Sequence, residues 1–240
     1  MNIAISQPRY LPSLGFLQRM SYVDLFVVYD TVQRQSRAWE NRNKLLLPDS
    51  EWLSIPITSS SREILSSTLM GKPNWIDEHS NKIKYYYKTS RFFDEKIIDI
   101  YYAGFRKAYE QSNANFTIAA IDAIVNLFIE LSVPFKYIYS SDIIFDDNNV
   151  EVGAKKLVKI AEKCKATVYL SGQNGREYGV NDAFKNSECI VKYHQYIETE
   201  YNQIGDRKIF IPHLGFFDPL FCLGKEKFCK LINEMPVLLD

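Results

Sequence analysis

The chain has no net charge: 29 basic side chains balance 29 acidic ones over 240 residues. No global field therefore draws it to nucleic acid or to an anionic membrane surface. No apolar run approaches the roughly 20 residues that a membrane-spanning helix needs. Histidine and cysteine are sparse, three and four residues. The cysteines, Cys164, Cys189, Cys222 and Cys229, form no CxxC pair, and with His79, His194 and His213 they show no metal-ligand spacing. In the absence of a signal-peptide pattern they are expected to be reduced thiols in a cytoplasmic protein, with Cys222 and Cys229 on apolar helical faces. There is no GxGxxG, no P-loop and no Gly-x-Ser-x-Gly. Those absences count against ordinary dinucleotide or P-loop binding and against a serine triad.

What the chain does have is an ordinary hydrophobic share of 46%, enough for a sizeable core, and an aromatic share of 14%, mostly Tyr and Phe, suited to packing in cores and interfaces. Strand and helix patterns alternate along it. Asn2 to Ser6 is an apolar strand that stops at Gln7-Pro8, because proline pushes the residue before it out of helix and begins a turn. Ser13 can cap a helix bearing Leu14, Leu17 and Met20 at helical spacing. Leu25 to Asp30 is nearly continuous in β-formers, as in a strand covered on both faces. Residues 43–57, with a Pro48-Asp49-Ser50 turn, read as a β-hairpin, and the serine-rich 58–67 as an exposed loop or a lid. Three helices follow, over 74–88, 92–111 and 116–131, making a helical insert at about 74–132. Strands are then expected at 136–139, 167–170 and 189–193, with helices at 150–164, 178–186, after 217–219 and at 225–233. The pattern predicts a single α/β domain over 1–240, Rossmann-like, with a mainly parallel sheet of about five strands, a β-hairpin and the helical insertion.

In such sheets ligands bind in the crevice at the carboxyl ends of the strands, where Gln7 and Asp30 stand. Gln7 to Gly15 occupies the first strand-to-helix crossover. Nucleotidyl transferases of similar architecture hold a triphosphate there with an HxGH motif at a helix N-terminus. This stretch has no histidine, so it could keep only the geometry. Trp39-Glu40-Asn41-Arg42-Asn43 combines an aromatic face, a carboxylate, a guanidinium and two amides, which suits recognition of a sugar or phosphate as well as it suits a solvated turn. The glycines of Ser171 to Tyr178, after a strand, fit either a ligand-binding nest of amides or a plain βα turn. His194, at the end of the last strand, and His213 are the near-neutral bases outside the insert; His79 is expected to be exposed on its helix.

Three stretches resemble the opening of the WbqC-like family: Gln7-Pro8-x-Tyr10-x-Pro12-x-x-Gly15-Phe16, Asp24-x-Phe26-Val27-x-x-Asp30-x-Val32-Gln33, and Trp39-x-Asn41-Arg42-Asn43-Lys44 with Trp52-Leu53-x-Ile55-Pro56. Tyr169-Leu170-Ser171-Gly172, Gly175-x-x-Tyr178, Tyr201-x-Gln203 and Phe217-Asp218-x-Leu220-Phe221-x-x-Gly224 extend the likeness along essentially the whole chain, more loosely in the insert. Members lie in bacterial gene clusters for O-antigen and other surface polysaccharides. The resemblance implies work on a nucleotide-linked or lipid-linked sugar and, as suggested for some members, transfer of an amino acid such as glycine to an amino sugar. Many relatives carry an aromatic-Gly-Tyr or a histidine before Gln-Pro, where this chain has Ser6, so no role of that histidine carries over. The matching positions Gln7, Tyr10, Gln33, Trp39, Arg42, Asn43, Ser171, Gly172, Tyr178 and Gln203 are candidate substrate-binding residues, and Asp30, His194 and Asn41 candidate catalytic ones.

Residues and resemblance together point to acyl or aminoacyl transfer, for example of glycine, onto the amine of a nucleotide-linked amino sugar. That step needs a neutral amine, a base and donors for the developing oxyanion. Asp30 or His194 would be the base, Asn41, Asn43 and amides near Gly172 the donors, and Arg42 a phosphate ligand. Acyl-CoA, an acyl or aminoacyl carrier and ATP are the open cofactors, and no metal is expected. Two alternatives remain: nucleotidyl or adenylyl transfer at the Gln7 to Gly15 turn, and a non-catalytic binding or scaffold protein of the assembly pathway. A homodimer is open in each case.

Overall fold

The computed structural model describes residues 1–35, 39–46, 52–60, 62–143, 153–205 and 209–240. The expected turn at Pro48-Asp49-Ser50, Ser61 of the serine-rich loop and the first residues of the helix expected from 150 lie outside the described residues. Strand β1 (Asn2–Ser6), helix α1 (Leu14–Tyr22) and strand β2 (Leu25–Val28) form the βαβ unit that the apolar runs predict. Strands β3 (Arg42–Lys44) and β4 (Trp52–Ser54) pair antiparallel as a separate ribbon. The insert comprises α2 (Asn74–Tyr87), α3 (Glu95–Gln111) and α4 (Phe116–Leu131). Asp94 and Asn115 cap the last two by accepting the Lys96 and Ile118 N–H groups, each at 3.0 Å. Then follow β5 (Tyr137–Tyr139), α5 (Ser140–Ile143), α6 (Ala154–Lys163), β6 (Val168–Gly172), α7 (Val180–Phe184), β7 (Ile190–Gln195), α8 (Phe217–Leu223), α9 (Lys225–Asn233) and β8 (Val237–Leu239).

The main sheet is ordered β5-β2-β1-β6-β7-β8, with parallel pairing as far as β7 and β8 antiparallel at the edge. The sixth strand escapes sequence pattern because three residues are too few to show a period. Counted in chain order, the parallel strands run 3-2-1-4-5, the order of the first five strands in dinucleotide-binding sheets. Connections therefore leave β1 in opposite directions, which makes the carboxyl ends of β1 and β6 the switch point at which sheets of this kind have their ligand crevice.

Alternation along the strands assigns the two layers. Ala4, Phe26, Val28 and Leu170 face α1, α9 and the insert, in one buried cluster that runs from the sheet into α4. Ile3, Ile5, Val27 and Tyr169 face α6 and α7. β1 is thus covered on both sides, as its unbroken apolar run requires. Among the described residues, no helix is long and apolar enough to cross a membrane.

Within the insert α3 and α4 pack closely at Gly104, where a Cβ would overlap the backbone of Ala123. Ala is the better helix former by about 1 kcal/mol. Overpacking against rigid backbone costs about 1–3 kcal/mol, and the neighbouring atoms cannot swing away. Gly104→Ala is therefore expected to lower stability in urea unfolding. A gain would show that the two helices separate freely.

Candidate functional site

From the carboxyl end of β1 the chain enters the Gln7 to Pro12 loop, which is held at both faces of one strained residue. Leu11 has φ +46°, a left-handed conformation that costs a branched side chain about 1–2 kcal/mol. Its N–H donates to the Tyr101 hydroxyl (2.9 Å), and its carbonyl accepts from Asn43 Nδ2. Next to it the Tyr10 N–H donates to the Glu40 carbonyl (2.7 Å). The Tyr10 ring is buried against Trp75, Tyr101 and Phe105, and its hydroxyl meets Tyr102 (2.5 Å) and His79 Nδ1 (2.8 Å). His79 is consequently half-buried under the loop, not exposed as its place on α2 predicts. Tyr10 and Asn43, both candidates for substrate binding, sit inside the fold as the pins of this loop.

The crevice itself holds two arginines. Arg19, in α1, is buried, yet its hydrogen bonding is thin: Nη2 donates to Ser6 Oγ at 3.3 Å, and Nε has no partner among the described residues. Nη1 lies against Gly172, where a Cβ would collide with it, so this glycine accommodates the guanidinium. Part of the Arg9 side chain reaches solvent, but its guanidinium lies among protein atoms. Both guanidinium carbons stand over the Phe16 ring, at 4.8 Å for Arg9 and 5.2 Å for Arg19. Burial, then the charge of Arg19, pull the Arg9 pKa down to about 10, against the opposing pull of Glu40. Burial likewise lowers Arg19, with the Tyr169 hydroxyl opposing it. Glu40 is buried, both its carboxylate oxygens are without a hydrogen-bond partner among the described residues, and burial raises its pKa. Arg9, Arg19 and Glu40 are the residues here that motif reasoning passed over.

The other candidates divide. Gln7, half-buried, Ser171 and Gly172 lie at this crevice, and the Arg19 guanidinium reaches both Ser6 and Gly172 across it. Ser171 Oγ donates to the Gly172 carbonyl (3.1 Å). Trp39 and Trp52 lie with ring centroids 4.9 Å apart, and Arg42 (4.4 Å) and Lys44 (4.9 Å) stand over Trp52, making a cationic aromatic patch on the outer face of the ribbon. Asn41 braces that ribbon by donating to the Ile55 carbonyl (2.8 Å). Asp30 sits in the corner between β2 and α5, accepting from Ser140 Oγ (2.7 Å), Ser141 N–H (3.0 Å) and Ser141 Oγ (2.7 Å). Gln33 donates to the Arg62 carbonyl (3.2 Å) on the adjoining loop. Gln203 is engaged on both ends with Ile211, and Tyr178 points into solvent. These last four lie away from the arginine pair.

His194, at the end of β7, is buried and meets Gln18 Oε1 at 2.8 Å, while Gln18 donates to the Leu231 carbonyl. Gln18 and Gln195 also line a cavity of about 110 Å³ with Tyr196, Leu231 and Met235, beside the crevice and not in it. At the start of α1 the open face of Gly15 is filled by the Tyr196 ring, which a Cβ would approach to 2.5 Å. The glycine that could have brought a triphosphate to this helix end serves an aromatic ring instead. Among the described residues, no group of His, Cys, Asp or Glu is placed to hold a metal ion.

Two outcomes follow from these burials. A desolvated guanidinium with so little pairing costs more than it returns, so Arg19→Met is expected to hold or raise stability, by up to about 2 kcal/mol. A loss of that size in urea unfolding would mean that Arg19 braces the fold. For His194, burial and then the charge of Arg19 lower the pKa to about 4. The unfolded chain, with its histidine near 6.5, then takes the proton first as pH falls. Stability from this group is full above about pH 6.5 and is lost down to about pH 4, by at most ~3 kcal/mol. His194→Gln should flatten that slope, and equal slopes for the two proteins would refute it.

The WbqC-like protein family matches residues 7–229. The uncharacterized protein Rv1507c of Mycobacterium tuberculosis is 24% identical over 231 residues, covering 93% of this chain and 94% of its own. No solved structure matches the chain. The family match takes in the crevice, the ribbon and the insert together, and it associates the protein with surface-polysaccharide and O-antigen gene clusters. The chain belongs to the WbqC-like protein family.

Proposed function

We propose that the protein is an enzyme of surface-polysaccharide biosynthesis that transfers an acyl or aminoacyl group, such as glycyl, to the amine of a nucleotide-linked amino sugar. The observation that carries this reading is Arg19. A buried guanidinium with one long hydrogen bond is an unfavourable arrangement that an anion would relieve. With Arg9 it presents two positive charges at the crevice where doubly wound sheets take their ligands. The phosphates of a sugar nucleotide match that charge. The Trp39–Trp52 patch, joined to the same loop through Glu40 and Tyr10, offers a flat surface for the base or the sugar. The donor is an acyl thioester or ester. Nucleotidyl transfer at the Gln7 to Gly15 turn is disfavoured, since Tyr196 occupies the space beside Gly15.

A thermal-shift screen of nucleotide sugars, acyl-CoA and ATP, followed by calorimetric titration, tests the reading. A nucleotide sugar should raise the melting temperature, because a ligand that binds only the native state stabilises it by about 2.7 kcal/mol at a hundred times its Kd. Arg19→Lys keeps the charge and loses the planar fork, so affinity should fall at least ~10-fold. Equal responses from both proteins would rule out the arginine site.

A further inference from the structure

We propose that Glu40 is the subsite for the acceptor's amino group and the base that takes its proton. The proposal rests on the function proposed above. Glu40 is 2% exposed, and among the described residues neither of its carboxylate oxygens meets a donor at hydrogen-bonding geometry. Buried carboxylates are almost always paired, so open lone pairs in such a place call for a donor from outside the fold. Burial raises the carboxylate's pKa; the Glu40 and Gln35 backbone N–H groups, which lie near it but outside good hydrogen-bonding geometry, and the charges of Arg9 and Arg34 oppose that rise. The position is also well fixed. The Glu40 carbonyl accepts from Tyr10, and the next residue, Asn41, exchanges two hydrogen bonds of 2.8 Å with Ile55. The Glu40 charge acts on Arg9, the residue before Tyr10, so the anchored carboxylate stands near that guanidinium.

A ligand that satisfies both halves carries an anion for Arg9 and Arg19 and several N–H donors for Glu40. An amino sugar phosphate has both, and an ammonium offers three donors where a hydroxyl offers one. The residue types first suggested as bases are otherwise engaged. Asp30 already accepts three hydrogen bonds, and burial keeps His194 a weak base. Burial raises the proton affinity of the Glu40 carboxylate, which stands near Arg9. In the reaction the ammonium gives its first proton through Glu40 to solvent, which frees the nitrogen lone pair. Nitrogen then bonds to the acyl carbon of a thioester or ester donor while the C–S or C–O bond breaks. The leaving sulfur or oxygen departs with that electron pair and takes the second amine proton from Glu40.

The test titrates the 240-residue chain calorimetrically with inorganic pyrophosphate, glucose 1-phosphate and glucosamine 1-phosphate. Wild type is expected to prefer glucosamine 1-phosphate over glucose 1-phosphate by at least ~10-fold, the scale of one charge-assisted hydrogen bond. Glu40→Gln keeps the shape and removes a buried charge; it should fold, bind pyrophosphate at least as tightly as wild type, and lose the amine preference. A preference unchanged in Glu40→Gln overturns the assignment of Glu40 and leaves the arginine site standing. If Glu40→Gln does not fold, Glu40→Asp decides: its carboxylate is drawn back by one methylene, so the preference must fall at least ~3-fold, and no fall overturns the assignment. No binding of any probe by wild type, or pyrophosphate binding indifferent to Arg19→Lys, overturns the arginine site and this subsite with it.

Discussion

The whole arrangement depends on holding Leu11 in a backbone conformation it would not choose. One hydroxyl from α3 and one amide from the ribbon grip the two faces of that residue, and Tyr10 beside it reaches α2 and α3 through His79 and Tyr102. The sheet, the ribbon and the insert therefore meet at a single loop. Each of these hydrogen bonds is worth about 1 kcal/mol net, but loss of a partner leaves a buried polar group that costs about 1–3 kcal/mol. The asymmetry makes the loop a rigid joint. The insert has a stated purpose in this view: it supplies the tyrosines that fix the first strand-to-helix crossover.

A rigid joint lets charge be stored in an unfavourable place. Arg9 and Arg19 share one phenylalanine ring, and Glu40 stands near Arg9 with no hydrogen-bond donor among the described residues. Left to relax, such groups would turn to water or to each other. The Tyr10–Glu40 backbone bond and the packing of α1 prevent it. Groups whose proton affinities are pushed in opposite directions within one crevice are a frequent mark of functional sites.

Legibility in the sequence followed range. The β1–α1–β2 unit was readable because its signals are local: an apolar run, a proline, a serine at the helix boundary and a second apolar run, although the Ser13 side chain makes no capping hydrogen bond. The insert helices were readable from their stripes. Strand order, the edge strand β8 and the contact of Tyr10 with His79 depend on residues far apart in the chain, and no period encodes them. Arg19 was missed although a signal existed. Leu14 to Met20 is apolar on nearly every side, so α1 has no wet face, and Gln18 and Arg19 had to be buried. Glu40 stood in the Trp39 to Asn43 set, which suits a ligand or a turn equally, and nothing local told its carboxylate from a solvated one. Gly172 looked like an opening for a ligand, and in the fold it makes room for Arg19.

The pairing of β1 with β6 carries a kinetic consequence. Asn2 lies beside Val168, so the central strand meets its second neighbour across 166 positions of chain. On the ribosome, β1 and β2 can associate early through α1, while the other edge of β1 stays open during synthesis of the insert. Contacts of such separation slow folding, and open strand edges invite association with other chains. The short-range packing of α3 on α4 gives the nascent chain a local structure to complete during that wait. Chaperone dependence and slow refolding are the expected cost of placing the first strand at the centre of the sheet.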